Sequence, residues 1–478
     1  MKYQAVIGLE IHVQLKTLSK AFCSDSTVYG EIPNSQVSPI SLGHPGTLPK
    51  HNENAIAHAV RLGLALNCKI NPFNAYARKN YFYADLPKGY QITQDKTPIC
   101  TGGYVEINTS QGPKKISLTR IHMEEDSGKS MHDQDLYDSL VDYNRAGIPL
   151  VEIVTEPVIS SGEEAYHYVS EIRRLVRYLD ICDGNMEEGS LRCDANISVK
   201  LKDAKTLGTK VEVKNMNSMT NVKRAIEFEI QRQIDCLEKG ETLVSETRSF
   251  NAAKGNTIVM RSKEEAQDYR YFPEPDLPPF IISNDFIEQV KATMPALPKE
   301  LFQKLTQTFQ LGNYEAEIIT EDKDMAHFYL ELVSECTNFK GASNWLLGPI
   351  KSWMNENALN IGAFPINIKT IAQLIEMVDQ NQISHTVAVQ NIFPVLIHQP
   401  DSNPLEIAKA NHWLLNNDTG QIEEWITLTL ERYPDKVSAY KAGKKGLMGL
   451  FVGEVMKLSK GSADPKTVNQ LLQKTLEN

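Results

Sequence analysis

Several alternating stretches of this chain carry acidic and imidazole side chains where a plain strand would show neutral polar groups. From Val6 to Leu15, the apolar Ile7, Leu9, Ile11, Val13 and Leu15 alternate with Gly8, Glu10, His12 and Gln14. From Arg192 to Leu201, Cys193, Ala195, Ile197, Val199 and Leu201 alternate with Arg192, Asp194, Asn196, Ser198 and Lys200. Lys210, Glu212 and Lys214 share one parity in a third stretch. His122, Glu124 and Glu125 end a fourth, and Glu152 and Glu156 flank a fifth. A period of two sends each polar set to one face of a sheet. Taken singly, such a charge is ordinarily just solvated. Carboxylates gathered on one face repel and raise one another's pKa unless a cation intervenes. If these strands share a sheet face, the set calls for a hard divalent ion, and oxygen donors favour Mg²⁺, which keeps waters and bridges phosphates.

A second constellation runs Arg78-Lys79-Asn80-Tyr81-Phe82-Tyr83-Ala84-Asp85-Leu86-Pro87-Lys88-Gly89-Tyr90-Gln91, and Asp268-Tyr269-Arg270-Tyr271-Phe272-Pro273 has the same character. Cations interleaved with aromatics suit phosphates and a stacked base. Core aromatics with snorkelling Lys and Arg are the plainer alternative. Metal, phosphate and stacking groups together point to an ATP-dependent reaction. Asp126-Ser127-Gly128-Lys129-Ser130 ends like a phosphate loop, but Met123 stands where its first glycine belongs, so it is not one. HExxH, GxSxG and a zinc-type cysteine quartet are all missing.

The chain around these residues changes character along its length. Before Pro273, period-two strands interleave with helices. Ser161-x-x-Glu164 is a capping box, and Ala165, Tyr168, Val169, Ile172, Leu175, Val176 and Leu179 follow at helical spacing. The first boundary is read at Pro273-Glu274-Pro275-Asp276-Leu277-Pro278-Pro279, with Pro295 and Pro298 beyond it, and the second at Pro400-Asp401-Ser402-Asn403-Pro404. Between and after them helices dominate, as in Ile371, Leu374, Ile375 and Val378, and in the stripe Leu447, Phe451, Val455 and Leu458. The expected fold is α+β: a largely antiparallel N-terminal sheet domain over 1–293, an all-α domain over 294–405 and an all-α tail over 406–478.

The 478 residues carry 50 Lys+Arg against 60 Asp+Glu, a net charge of −10. That figure argues against a nucleic-acid binder until it is divided. Residues 432–478 hold nine basic and four acidic groups, a net +5, leaving −15 elsewhere. An acidic body with a basic tail suggests two jobs. No run approaches the ~20 apolar residues of a membrane span, and the early Glu10 interrupts any signal-peptide core. The seven cysteines form no CxxC pair, so reduced thiols in a cytoplasmic chain are expected.

The chain resembles the GatB family, the B subunits of the tRNA-dependent aspartyl/glutamyl amidotransferases. The runs that carry the resemblance are Val6-Ile7-Gly8-Leu9-Glu10-Ile11-His12-Val13, Arg78-Lys79-Asn80-Tyr81-Phe82-Tyr83 and Arg120-Ile121-His122-Met123-Glu124-Glu125-Asp126-Ser127-Gly128-Lys129. Asp142 to Leu150, Met186 to Asn196, Lys214 to Ser218 and Asp268 to Leu277 continue it, and it reaches the tail at Gly443-Lys444-Lys445-Gly446. The resemblance implies a cradle domain of the glutamine synthetase and guanidino kinase type. It also implies ATP-dependent activation of the side-chain carboxyl of mischarged Glu-tRNA(Gln) or Asp-tRNA(Asn). Ammonia then displaces the phosphate, supplied by a glutaminase A subunit in a complex that a small C subunit helps hold together.

Carried onto this sequence, the metal site falls on Glu10, His12, Glu125 and Glu152, with Asp194 and Glu212 as further acidic candidates. Strand alternation favours Glu124 over Glu125, so both stay open. The catalytic set is then Glu10, His12, Glu124, Glu125, Glu152 and Lys79. Arg78, Lys79, Tyr81, Tyr83, Lys88 and Lys214 are the nucleotide-binding candidates. Lys441, Lys444, Lys445, Lys457 and Lys460 in the tail are the tRNA contacts. ATP and Mg²⁺ are the implied cofactors. Many relatives carry a four-cysteine zinc knob, but here Cys23 stands with Asp25, Ser38 and Ser41, and one thiol cannot close a structural zinc site. Two other readings compete: a tRNA-binding scaffold with a merely structural acidic pocket, and a free-standing ammonia ligase, which the basic tail disfavours.

Overall fold

The computed structural model describes residues 2–131, 135, 137–262, 268–415, 419–459 and 461–477. The chain divides into two compact units, 1–297 and 298–478.

The first unit is built on a sheet of thirteen strands among the described residues. At its centre lies Tyr3–Gln14, between Leu191–Leu201 on one side and Pro149–Thr155 on the other, both antiparallel to it. Beyond Leu191–Leu201 come Val211–Lys214, Glu246–Asn251 and Asn256–Ser262; beyond Pro149–Thr155 come Gly112–Glu125, Tyr90–Thr93, Ala77–Asn80 and Phe272–Pro273. Along this path only Val211–Lys214 and Glu246–Asn251 run parallel. The register pairs Glu10 with Asp194, His12 with both Arg192 and Glu152, and Glu152 with His122. Residues paired across strands project to the same side, so chemistry-bearing groups from four strands share one face.

The other face makes the core. Ile7, Leu9, Ile11 and Val13 are wholly buried, as the alternation requires. Three helices, Glu53–Ala65, Gly162–Tyr178 and Met219–Glu238, add their apolar stripes to the same cluster. The helix after Ser161 follows its capping signal: the Ser161 hydroxyl accepts from Glu164 N at 3.1 Å. The return bond goes one residue further back, from Ser160 N to Glu164 at 2.8 Å. Ala165, Tyr168, Val169, Ile172 and Val176 are buried along one stripe.

The Pro273–Pro279 stretch lies inside this unit rather than at its edge. Glu274 is buried against Arg78, and Leu277 and Ile282 join the sheet core. The unit instead ends at Leu297, beyond Pro295.

In the second unit every regular element among the described residues is helical. In Ile368–Asp379, Ile371, Leu374 and Ile375 are buried. The expected helical domains 294–405 and 406–478 share one unit from 298 onward, residues 294–297 staying with the first unit; the last helices keep a core of their own. That core joins Ile422, Ile426, Phe451, Val455, Val468 and Leu472; Leu458, expected in the same stripe, is exposed. No helix among the described residues is long and apolar enough to cross a membrane.

Candidate functional site

The polar face of the sheet gathers two sets of ligand atoms. His12, Glu124 and Glu152 bring theirs within 4.8 Å of one another, and so do Glu10, Asp194 and Glu212. In the first set, His12 Nε2 lies 3.6 Å from Glu124 Oε1 and 3.4 Å from Glu152 Oε2. His122 closes the ring, with its Nε2 3.3 Å from Glu152 Oε2 and 3.6 Å from Glu124 Oε2. His122 Nδ1 is buried without a hydrogen-bond partner among the described residues. In the second set, Lys214 Nζ reaches Asp194 at 2.5 Å and Glu212 at 3.1 Å, and Asn196 Nδ2 donates to Glu10 at 2.8 Å.

The electrostatics follow from that crowding. Burial would lower the His122 pKa, but its bonds to Glu124 and Glu152 outweigh it and push it up to about 9. The His12 pKa rises for the same reason, with Glu152 as the main partner. Burial opposes ionisation of Glu124 and Glu152, yet the two histidines hold both carboxyls below the usual range. Glu10 goes the other way: burial first, then the Glu152 carboxylate, raise its pKa against the pull of Lys214.

One imidazole with two carboxylates, beside three further carboxylates, is an oxygen-rich donor array suited to Mg²⁺, Mn²⁺ or Ca²⁺. The sites therefore fit the divalent ions that the resemblance implies.

Glu125 is not part of either set. Alternation turns it to the opposite face, where Oε2 accepts from Lys88 Nζ at 2.6 Å and Oε1 from Ile92 N at 2.9 Å. The Lys88 and Glu125 side chains are 8% and 4% exposed. Lys88, expected near the nucleotide, is thus occupied with Glu125 away from the acidic clusters.

Arg78 and Lys79 separate by the same rule. Lys79 faces the clusters with its ammonium 4.9 Å from the Tyr269 ring centroid and 5.9 Å from that of Tyr81. Burial would depress its pKa, but Glu124 and the neighbouring tyrosines raise it. Arg78 instead forks onto Glu274, with bonds of 2.7 and 2.9 Å, reaches Asp276 at 3.1 Å and stacks 4.2 Å over Tyr90. Arg78 Nε and Nη2 are thus taken up by carboxylates, beside the strand Phe272–Pro273 that pairs with Ala77–Asn80. That pairing also joins the two aromatic runs: Tyr81 meets Tyr269 at 6.1 Å, and Tyr83 leans on Tyr81 at 5.8 Å with half its surface exposed.

A cavity of about 300 Å³ opens over the clusters, lined by His12, Lys79, Tyr81, Glu124, Asp194 and Lys214 among others. A larger one of about 630 Å³ adjoins it and shares Arg192, Asp194 and Asn215 with it. Arg192 and Asp126 escape a sequence reading that looks for ligands. Parity already places Arg192 beside Asp194, yet a cation among carboxylates reads as a mere counterion. Asp126 opens the Walker-like run. Gly128 N donates to Asp85 O at 2.7 Å, and a Cβ on Gly128 would stand only 2.9 Å from Asp142 O. The glycine is there for chain packing, not phosphate.

Cys23, Asp25, Ser38 and Ser41 do converge, but as a hydrogen-bonded turn. Ser38 N donates to Asp25 at 2.8 Å, the Ser41 hydroxyl also donates to Asp25, and Cys23 Sγ lies 3.6 Å from Ser41 Oγ. One thiol, one carboxylate and two hydroxyls do not make a structural zinc site.

Within the second unit, Lys441, Lys444 and Lys445 are exposed together where helix Pro434–Lys441 gives way to Met448–Leu458. Lys445 Nζ lies 4.3 Å from the Tyr440 ring centroid. Lys457 pairs with Glu454 at 2.7 Å, which ties up part of its charge. Lys460 lies outside the described residues.

With this geometry in place, comparison with known proteins is specific. Residues 5–288 match the family described as GatB/GatE catalytic domain, and residues 327–476 the family described as GatB domain. The B subunit of the aspartyl/glutamyl-tRNA(Asn/Gln) amidotransferase of Caldanaerobacter subterraneus subsp. tengcongensis is 46% identical over 476 residues, 100% of both chains. Its namesake from Syntrophotalea carbinolica is 45% identical over 475 residues, 99% of each chain. The one from Rickettsia rickettsii is 45% identical over 478 residues, 100% of this chain and 98% of its own. A sheet whose polar face carries two oxygen-donor clusters, matched end to end by such relatives, leaves no ambiguity of kinship: the chain belongs to the GatB family.

Proposed function

We propose that this chain activates the side-chain carboxyl of Glu-tRNA(Gln), Asp-tRNA(Asn) or both with ATP, and then amidates it. The observation that carries the reading is the meeting of two ligand clusters with Lys79, Lys214 and Arg192 on one sheet face, at the junction of two cavities. A free carboxylate is a poor acyl donor. One of its oxygens attacks the γ-phosphorus of ATP, the bond to the β–γ bridging oxygen breaks, and ADP leaves. Ammonia then attacks the acyl carbon, the C–O bond to phosphate breaks, and the nitrogen's surplus proton leaves with the phosphate. Both steps bring anions together, so catalysis is mainly positioning and neutralisation of charge.

His12, Glu124 and Glu152 would hold one divalent ion, and Glu10, Asp194 and Glu212 a second. When bound, Mg²⁺ supplies countercharge to the phosphates. Lys79, steadied by Tyr81 and Tyr269, would take phosphate oxygens. Lys214 holds Asp194 and Glu212 close together. The largely antiparallel sheet with its site on the open face supports kinship with the glutamine synthetase and guanidino kinase cradle. The family relationship supports an assembly with a glutaminase A subunit and a small C subunit, in the cytoplasm, with the ammonia passed internally. The exposed lysines of the second unit are the proposed tRNA contacts.

The test is Glu10→Gln in the assembled complex, supplied with ammonia and Glu-tRNA. Loss of one ligand is expected to lower ATP-dependent amide formation on the order of 10–100-fold. Amide formation at the wild-type rate would contradict the metal site and favour a tRNA-binding scaffold.

A further inference from the structure

Arg192 sits directly across from His12 in the sheet register and two residues from Asp194, on the face that carries both clusters. It lines the smaller cavity over those clusters and also the larger one beside it. Its guanidinium is anchored at one corner only. Nη2 lies 2.9 Å from Asp126 Oδ1, while Nε and Nη1 make no hydrogen bond among the described residues. Asp126 itself is held on every side. It accepts from Gln14 Nε2 at 2.6 Å and from Ser127 N at 2.9 Å, and Arg145 Nε stands 3.7 Å away. Arg145 is fixed in turn by bonds of 3.0 Å to Ser127 O and 2.7 Å to Gly128 O. The Asp126 side chain is 3% exposed and that of Arg192 32%. A buried, fully bonded carboxylate therefore presents a partly exposed fork at the seam of the two cavities.

The acceptor of the phosphoryl group in the proposed reaction is an anion, and it must enter a face crowded with carboxylates. Lys214 is already bonded to Asp194 and Glu212, and Lys79 lies among tyrosines beside Glu124. Arg145 is spent on backbone carbonyls. Arg192 has the free donors, and a guanidinium grips a carboxylate with two parallel bonds where an ammonium offers a point charge.

We propose that Arg192 binds the side-chain carboxylate of the aminoacyl group as it arrives from the larger cavity, and that Asp126 is the positioning residue that aims it. This rests on the carboxyl-activating function proposed above. The same fork has less to hold once the carboxylate has become a neutral amide, so substrate binds more tightly than product. Charge-assisted bonds make that difference on the order of 10–100-fold.

The experiment compares wild-type complex with Arg192→Gln, Arg192→Lys and Asp126→Asn. It reads equilibrium binding of Glu-tRNA and of Gln-tRNA in Mg²⁺ without ATP, then KM for Glu-tRNA and for ATP in ammonia-dependent amide formation. In Arg192→Gln, affinity for Glu-tRNA is expected to fall by roughly 10–100-fold, while affinity for Gln-tRNA and KM for ATP stay within about threefold. Unchanged Gln-tRNA binding also reports an intact fold. Arg192→Lys should fall between, keeping the charge without the fork. Asp126→Asn should shift KM for Glu-tRNA in the same direction and by less.

Equal loss of both tRNAs would put Arg192 on the RNA backbone and overturn the proposal. A rise confined to KM for ATP, or no change at all, would overturn it as well. If wild-type complex makes no amide from ATP and ammonia, the function itself fails, and the role of Arg192 with it. An active wild type with an indifferent Arg192→Gln removes only the arginine.

Discussion

Glu124→Gln should raise the Mg²⁺ concentration needed for half-maximal amide formation by at least about tenfold, while Glu125→Gln leaves that requirement unchanged and destabilises the fold. The two neighbours differ because a strand's side chains alternate. Glu124 joins His12, His122 and Glu152 on the polar face, where losing a ligand oxygen weakens ion binding. Glu125 instead balances Lys88 on the other side, both side chains being nearly inaccessible. Removing one partner of such a pair strands a buried charge, at a cost of about 3–5 kcal/mol. Mg²⁺ titrations of activity with urea unfolding of the same variants separate the effects. A Mg²⁺ requirement that moves with Glu125 and not with Glu124 would contradict the site as placed.

The second large effect belongs to the tail. Replacing Lys441, Lys444 and Lys445 together by alanine should weaken tRNA binding by at least about tenfold near physiological salt. It should also reduce the steepness of the log K against log [salt] plot by about 2–3, because each lost phosphate contact removes a released counterion. Deleting 419–478 should cost on the order of 10²-fold by the same principle. The cut belongs there rather than at 406, since Ala408 is buried in the helix Pro404–Ala410. Lys457→Ala should matter less, its charge being shared with Glu454. Unaltered tRNA affinity in the triple variant would remove these lysines from the account.

What could be read from the sequence follows from what a period of two encodes. Alternation assigns Glu10, His12, Asp194 and Glu212 to a polar face, and prefers Glu124 to Glu125, because one residue of offset reverses the side chain. The same rule, applied to Arg78 and Lys79, would have parted them; a cation beside a cation in an aromatic run reads as one phosphate patch instead. Strand order is different in kind. Nothing local to Tyr3–Gln14 says that its neighbours are Leu191–Leu201 and Pro149–Thr155, more than a hundred residues away. Proline density misleads at Pro273–Pro279 because the Arg78–Glu274 pair that draws it into the core has no local signal. Arg192 is visible in the alternation, but its use depends on Asp126, a partner that only the fold supplies.

In the proposed reaction the carboxylate itself is phosphorylated. Glu-tRNA carrying ¹⁸O in both side-chain carboxyl oxygens, given to the complex with ATP, Mg²⁺ and ammonia, tests it directly. An acyl phosphate hands one carboxyl oxygen to the departing phosphate, so one ¹⁸O is expected in each inorganic phosphate released with amide. Amide formed with unlabelled phosphate would contradict the account.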